Sequence, residues 1–306
     1  MNMNFLHRLG ARLTGRAGAK PEGPDILRFA QYVKAARAAN INKLYLFLSF
    51  DCDTDLDADA VMELHRFLSS RGIQATYAVP GAQLEKAAEV YGRLAREGGE
   101  FMNHGGLPHA MWQDDRWVGI TFYNTMPQDD VVRDIHNGHR IVTEVTGKTP
   151  LGFRAPHFGC YQQPEQMDLM HRTAASLGYR YCSTTLPSNG LLHGPAYPVH
   201  GLVEFPCFGS ARYPETILDS WTYLTDRVNY SLGDAYYELF AETVDAMLKH
   251  ELPGVLTWYG DPCHVMDQPP FIRAMELIAD RGVPSVSGSD LLAIVSGSPE
   301  SRSALN

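Results

Sequence analysis

The chain has 306 residues, enough to bury roughly 75% of its unfolded surface around one large core, and its 44% hydrophobic and 20% charged composition excludes a disordered or fibrous protein. A net charge of −9 argues against a nucleic-acid partner, and no run approaches the ~20 apolar residues needed to span a bilayer. Cys52, Cys160, Cys182, Cys207 and Cys263 are scattered, odd in number and without a CxxC pair; they read as reduced, mostly buried thiols, not a disulfide scaffold or a zinc ribbon.

Residues 1–23 read as a basic N-terminal arm. Arg8, Arg12, Arg16 and Lys20 are the only formal charges in its first twenty residues, and Phe5, Leu9 and Leu13 share their four-residue spacing. Such an arm either packs on the domain, frays, or lies on anionic lipid as a basic amphipathic helix. No apolar stretch precedes a small-residue cleavage site, so the expected location is cytoplasmic, with peripheral membrane contact through residues 1–20 as an added possibility.

From residue 44 onward, short β-type runs alternate with helical patterns. Strands are expected at 44–50, 75–79, 100–103, 151–154, 179–183, 202–206, 255–259 and 283–287, all rich in Tyr, Phe, Val, Leu and Thr. Helices are expected at 57–71, 83–96, 128–146, 164–176, 234–251 and 270–281. Gly72, Gly147, Gly178 and Gly282 stand where left-handed C-caps belong. Repeated β-then-α units predict a parallel sheet with helices outside it, and seven or eight of them fit a closed or distorted barrel. One catalytic domain is expected over 24–298, with a short tail at 299–306. Residues 110–128 are poor in helix signal and read as a substrate loop.

Four segments carry candidate chemistry, each at the end of an expected strand. Asp51 and Asp53 in FDCDT are two apart and would converge where the strand stops, although acidic loops are common there. His104 and His109 in NHGGLPH could supply two ligands of a three-ligand metal site, or could be two surface histidines among the twelve in the chain. Arg154 in FRAPH could hold a carboxylate in a bidentate pair, or make an ordinary salt bridge. His264 in YGDPCH could be a general acid or a structural loop histidine.

Taken in order, these segments resemble the motifs of the polysaccharide deacetylase family (carbohydrate esterase family 4, the NodB-homology domain), over roughly residues 44–295. The resemblance implies a distorted (β/α)7-8 barrel, single-domain, and a metal-dependent hydrolase that removes an N-acyl group, acetyl foremost, from an amino sugar. It implies that Asp51 is the base and that Asp53, His104 and His109 are metal ligands. Arg154 would orient the base, and a backbone N–H near His157 would face the oxyanion. LDSW resembles a further motif, with Asp219 tuning the acid, His264, and Trp221 lining the site; Asp261 and Asp267 are alternatives to Asp219. Four residues separate the two histidines here, where the family usually has three. His157 stands where an aromatic residue is common, and it could contact metal or substrate. Trp258 and Tyr259 complete the expected substrate wall. Zinc suits the nitrogen and oxygen ligands, with iron, cobalt and nickel as alternatives.

Three other readings compete. Some relatives remove formyl groups from lipid-linked amino sugars, and the DCDT segment is compatible with them. The chain could instead be an inactive sugar-binding protein. A cysteine hydrolase built on Cys263 and His264 is disfavoured, because a nucleophile's base normally comes from elsewhere in the chain.

Overall fold

The computed structural model describes residues 23–297, so the proposed N-terminal arm up to residue 22 and the proposed C-terminal tail lie outside the described residues. In chain order the elements are α1 (Ala30–Ala38), β1 (Leu44–Asp51), α2 (Asp55–Ser69), β2 (Ala75–Val79), α3 (Gly81–Lys86), α4 (Ala88–Arg96), β3 (Glu100–Asn103), β4 (Ala110–Gln113), β5 (Arg116–Gly119) and α5 (Gln128–Thr146). There follow β6 (Gly152–Arg154), α6 (Pro164–Ser176), β7 (Tyr181–Ser183), α7 (Pro187–His193), β8 (Tyr197–Val199), β9 (Leu202–Glu204), β10 (Leu224–Asp226), β11 (Ser231–Leu232), α8 (Asp234–Lys249), β12 (Gly254–Gly260), α9 (Pro262–Val265), α10 (Pro269–Asp280) and α11 (Gly288–Ser296).

The main sheet has the order β12-β1-β2-β3-β6-β7-β9-β8, parallel throughout except for the antiparallel β8–β9 pair at one edge. Strand hydrogen bonds do not close the circle. Between the open edges Phe208 N–H donates to Thr257 O (2.9 Å). This is a distorted, open barrel, as expected.

Alternation along β1 explains both the core and the site. Leu44, Leu46, Leu48 and Phe50 point outward into the layer between sheet and helices, where they meet Val61, Leu64 and Leu68 of α2. Tyr45 and Phe47 belong to a second cluster with Met102, Tyr181, Phe205 and Val255. Ser49 and Asp51 continue that second face to the strand's C-terminal end, so a polar site begins where the apolar filling stops.

Three local expectations need correction. Residues 283–287 make one bridge, Ser285 to Leu46, and form no strand. The helix expected at 83–96 is two helices, broken at Ala87. The segment expected to be a loop at 110–128 holds the β4–β5 hairpin and a 3-10 turn at Tyr123–Thr125. The four C-cap glycines have positive φ, from 61° to 80°. No helix among the described residues is long and apolar enough to cross a membrane.

Candidate active site

Because seven strands run parallel, the segments that follow β1, β3, β6 and β12 emerge at one rim of the barrel. Asp53 sits at the junction of β1 and α2. The helix start is pinned by a capping box: Thr54 Oγ1 accepts from Asp57 N–H and the Asp57 carboxylate accepts from Thr54 N–H. Asp57 Oδ1 also accepts from Cys263 N–H (3.1 Å), which ties this junction to the loop after β12.

Asp53, His104 and His109 come together, with one ligand atom from each within 4.8 Å of the others. His109 Nδ1 lies 3.2 Å from Asp53 Oδ1, and His104 Nε2 lies 3.7 Å from the same oxygen. His104 Nδ1–H donates to Arg154 O (2.9 Å), which leaves its Nε2 lone pair facing the site. Burial, then the neighbouring His109, push the His104 pKa well down, so the ring is neutral. Burial would raise Asp53, but His109, His104 and His157 outweigh it and hold its carboxylate below the usual range. His109 Nε2 is buried and has no hydrogen-bond partner, which is costly. Two imidazoles and one carboxylate converging on a point, with a ring nitrogen left unpaired, are a donor set that fits a divalent cation such as zinc.

The loop between the histidines is held from behind. Asp134 Oδ1, on α5, accepts from Gly106 N–H (3.0 Å) and Leu107 N–H (2.7 Å), and its Oδ2 accepts from Tyr123 O–H (2.7 Å). Gly105 has φ +81°, and a Cβ there would lie 2.5 Å from Asp134 Oδ2. Asn103 spans the base, accepting from Gly105 N–H and donating to Ile135 O.

Asp51 stands beside this triad. Arg154 Nη1 donates to Asp51 Oδ1 (3.0 Å) and Arg154 Nη2 donates to Ser49 Oγ (2.6 Å). Burial raises the Asp51 pKa to about 8, against the pull of Arg154 and with added repulsion from Asp53 and Asp261. A cation at the triad would draw it back down. The guanidinium is fully buried and lies over Phe158 and Tyr259, 4.8 and 5.2 Å from their ring centroids.

His264 is buried on the other side. Its Nδ1 lies 2.5 Å from Asp261 Oδ2 and 3.2 Å from Ser220 Oγ. Burial penalises charge on both partners, raising Asp261 well above the carboxylate range and lowering His264 to about 4, so the pair shares one proton and is neutral overall. Asp219 is close but turned away. It accepts from Thr222 N–H (2.6 Å) and Tyr259 O–H (3.1 Å). Of the acidic candidates, Asp261 is the direct partner of His264. Trp221 is exposed and lies 5.7 Å from the His264 ring. His157 Nε2–H donates to Ile120 O (2.6 Å), and its ring stacks on Phe122.

Trp258 is a correction. Adjacent strand residues face opposite ways, so while Tyr259 borders the site, Trp258 is 1% exposed and packs on Phe240 of α8, with ring centroids 3.7 Å apart. It belongs to the core and not to a substrate wall. Cys263 is no activated nucleophile. Burial and then Asp57 push its thiol well above the ordinary value, and the His264 Nδ1 is committed to Asp261 and Ser220. Ser49, Asp134 and Phe158 were not expected. Ser49 was readable as the residue two before Asp51 on one strand face. Asp134 was readable as a lone acid on the apolar stripe Val131, Ile135, Gly138, Ile141 and Val142.

Fold and site together define a class: an open βα barrel whose strand ends gather carboxylates, histidines and an arginine at one mouth. Residues 39–182 match the family model described as polysaccharide deacetylase. Among solved structures it resembles a Mycobacterium smegmatis protein assigned as a polysaccharide deacetylase, at 20% identity, over 84% of this chain and 91% of that one, with a TM-score of 0.60. A Pseudomonas aeruginosa PAO1 protein with the same assignment and a Puue allantoinase each align at 12% identity over 87% of this chain and 94% of theirs, with TM-scores of 0.59. At these identities the likeness is one of fold. No curated protein matches the sequence.

Proposed function

We propose that this protein is a metal-dependent N-deacylase of amino sugars, with acetyl as the first acyl group to test. One observation carries the reading: Asp53, His104 and His109 converge from two loops, with a spare carboxylate, Asp51, beside them. The family match supports a sugar amide as substrate. The fold alone does not choose one, since it also accommodates an allantoinase.

Asp53, His104 and His109 would hold the cation. When bound, it supplies Lewis-acid chemistry, lowering the pKa of water from ~15.7 to ~7, on the order of 12 kcal/mol at ~1.36 kcal/mol per unit. The residues of the chain then have defined tasks. Arg154 and Ser49 fix Asp51 so that its free oxygen can take the proton of the attacking water. A backbone N–H near His157 would face the oxyanion. His264 Nε2 gives its proton to the leaving amine while the proton shared with Asp261 settles on Nδ1. Tyr259 and Trp221 border the place where the sugar would lie.

The test is acid release from N-acetylated and N-formylated amino sugars by zinc- or cobalt-loaded protein, with allantoin as a comparison. Acetate release that stops on chelation and in Asp51→Asn is the expected result. Formate alone would change the acyl group, and ureide hydrolysis alone would overturn the sugar reading.

A further inference from the structure

The β4–β5 hairpin rises directly from the second histidine. Ile120 N–H donates to His109 O (2.7 Å) and Thr121 Oγ1 donates to Pro108 O (2.6 Å), so both sides of the hairpin's base are tied to the candidate ligand segment. Ala110 pairs with Gly119, and Trp112 with Trp117. Residues two apart on a strand share a face, so both tryptophans stand on the face that carries Gly119.

That face can be located. A Cβ on Gly119 would lie 3.2 Å from Phe122 Cζ and 3.4 Å from His157 Cε1. Phe122 and His157 stack with centroids 4.4 Å apart, and His157 lies 5.6 Å from His109. Rings therefore lead from His109 through His157 to Phe122, which lies against the hairpin face that carries both tryptophans. Trp112 and Trp117 pack edge to face at 5.6 Å, yet Trp112 remains 57% exposed. A two-stranded ribbon gains little by holding a tryptophan in water, so the exposed Trp112, backed by the half-buried Trp117 beside a reactive cleft, points to a ligand. The hairpin tip beside it, Gln113, Asp114, Asp115 and Arg116, is exposed, mixed in charge and rich in hydrogen-bonding groups. This suits hydroxyl-bearing rings better than an anionic surface.

We propose that the Trp112–Trp117 face is an accessory sugar-binding platform, on which sugars neighbouring the reacting residue stack. The proposal rests on reading the site as an amino-sugar deacylase. Two stacked rings separate the platform from His109, so one sugar at the reactive position does not reach it.

The experiment is calorimetric titration of the metal-loaded protein with the mono-, di- and hexasaccharides of N-acetylglucosamine, with acid release followed separately. Affinity is expected to rise with chain length. Replacing both residues, Trp112→Ala with Trp117→Ala, is expected to weaken hexasaccharide binding by about tenfold or more, and Phe at both positions to restore most of it. Met111→Ala, on the opposite hairpin face, leaves it unchanged. Equal binding of mono- and hexasaccharide, or no loss in the double Ala variant, overturns the platform even if acetate is released. Length-graded binding that needs the tryptophans, without acid release, keeps the platform and removes the deacylase reading. If the tryptophans instead control self-association in sedimentation, with sugar binding unaltered, the face is an interface between copies and the proposal fails.

Discussion

Arg154 binds Asp51 and Ser49 with two different nitrogens, Nη1 to Asp51 Oδ1 at 3.0 Å and Nη2 to Ser49 Oγ at 2.6 Å. The planar fork thus fixes the carboxylate against its own strand. A lysine offers a point charge without that geometry. Arg154→Lys is expected to lower kcat about 100-fold or more with little change in metal content, and Arg154→Ala to cost about 3–5 kcal/mol of stability as well, because a buried carboxylate loses its partner. Steady-state kinetics and denaturant unfolding would check this. A lysine variant with full activity would refute the positioning role.

The Asp134 carboxylate holds the loop between the histidines through two backbone N–H groups and Tyr123. Asp134→Asn keeps the shape but weakens an acceptor of charge-assisted bonds. Metal affinity is expected to fall about 10- to 100-fold, the effect typical of disturbing groups behind a ligand. Tyr123→Phe is expected to cost less. Competition titration with a chromophoric chelator reads both.

Asp261 and Asp219 can be separated. Asp261 Oδ2 meets His264 Nδ1 at 2.5 Å, whereas Asp219 bonds Thr222 and Tyr259. Asp261→Asn is therefore expected to lower kcat by about 100-fold, within the range for losing acid catalysis, with KM little changed. Asp219→Asn is expected to have the smaller effect. The reverse order in kcat would return Asp219 to the role its place in the sequence suggested.

Glu204 sets a stability dependence on pH. It is fully buried on β9 and accepts from the N–H and O–H groups of Thr184 and Thr185, with His171 Nε2 at 3.1 Å. Cys182 completes a second group of possible ligands there, but the Glu204 oxygens are already saturated, so the cluster needs no ion. Burial would raise the Glu204 pKa; His171 and Thr184 outweigh it and hold it below 4.5. A depressed folded-state pKa means stability that is fully present above about 4.5 and lost as pH falls through the folded value. Thermal melts of the protein and of Glu204→Gln should differ most near neutral pH and converge as pH falls through the depressed folded-state value. A gap that widens on acidification would contradict this.

The sequence made the helices at 128–146 and 164–176 and the strands at 75–79 and 100–103 legible, because period and length agreed there with capping glycines or proline starts. The Asp-x-Asp and paired-histidine segments were legible because each ends a strand. The hairpin at 110–119 was hidden by its turn, where Asp114 and Asp115 take φ of 50° and 57° in place of the more familiar Asn-Gly. The break at Ala87 has no proline or glycine to announce it. The partner of His264 depended on side-chain direction, which spacing does not encode. Trp258 and Tyr259 lay together in the sequence, and only alternation separates core from cleft.

The most direct test is metal binding. Protein stripped with chelator and titrated with zinc is expected to take up about one equivalent per chain, with Asp53→Ala, His104→Ala and His109→Ala each losing most of that affinity while keeping a cooperative melt. If the unaltered protein takes up no divalent cation, or if Asp53→Ala binds it as tightly, the three side chains serve another purpose and the catalytic account fails with them.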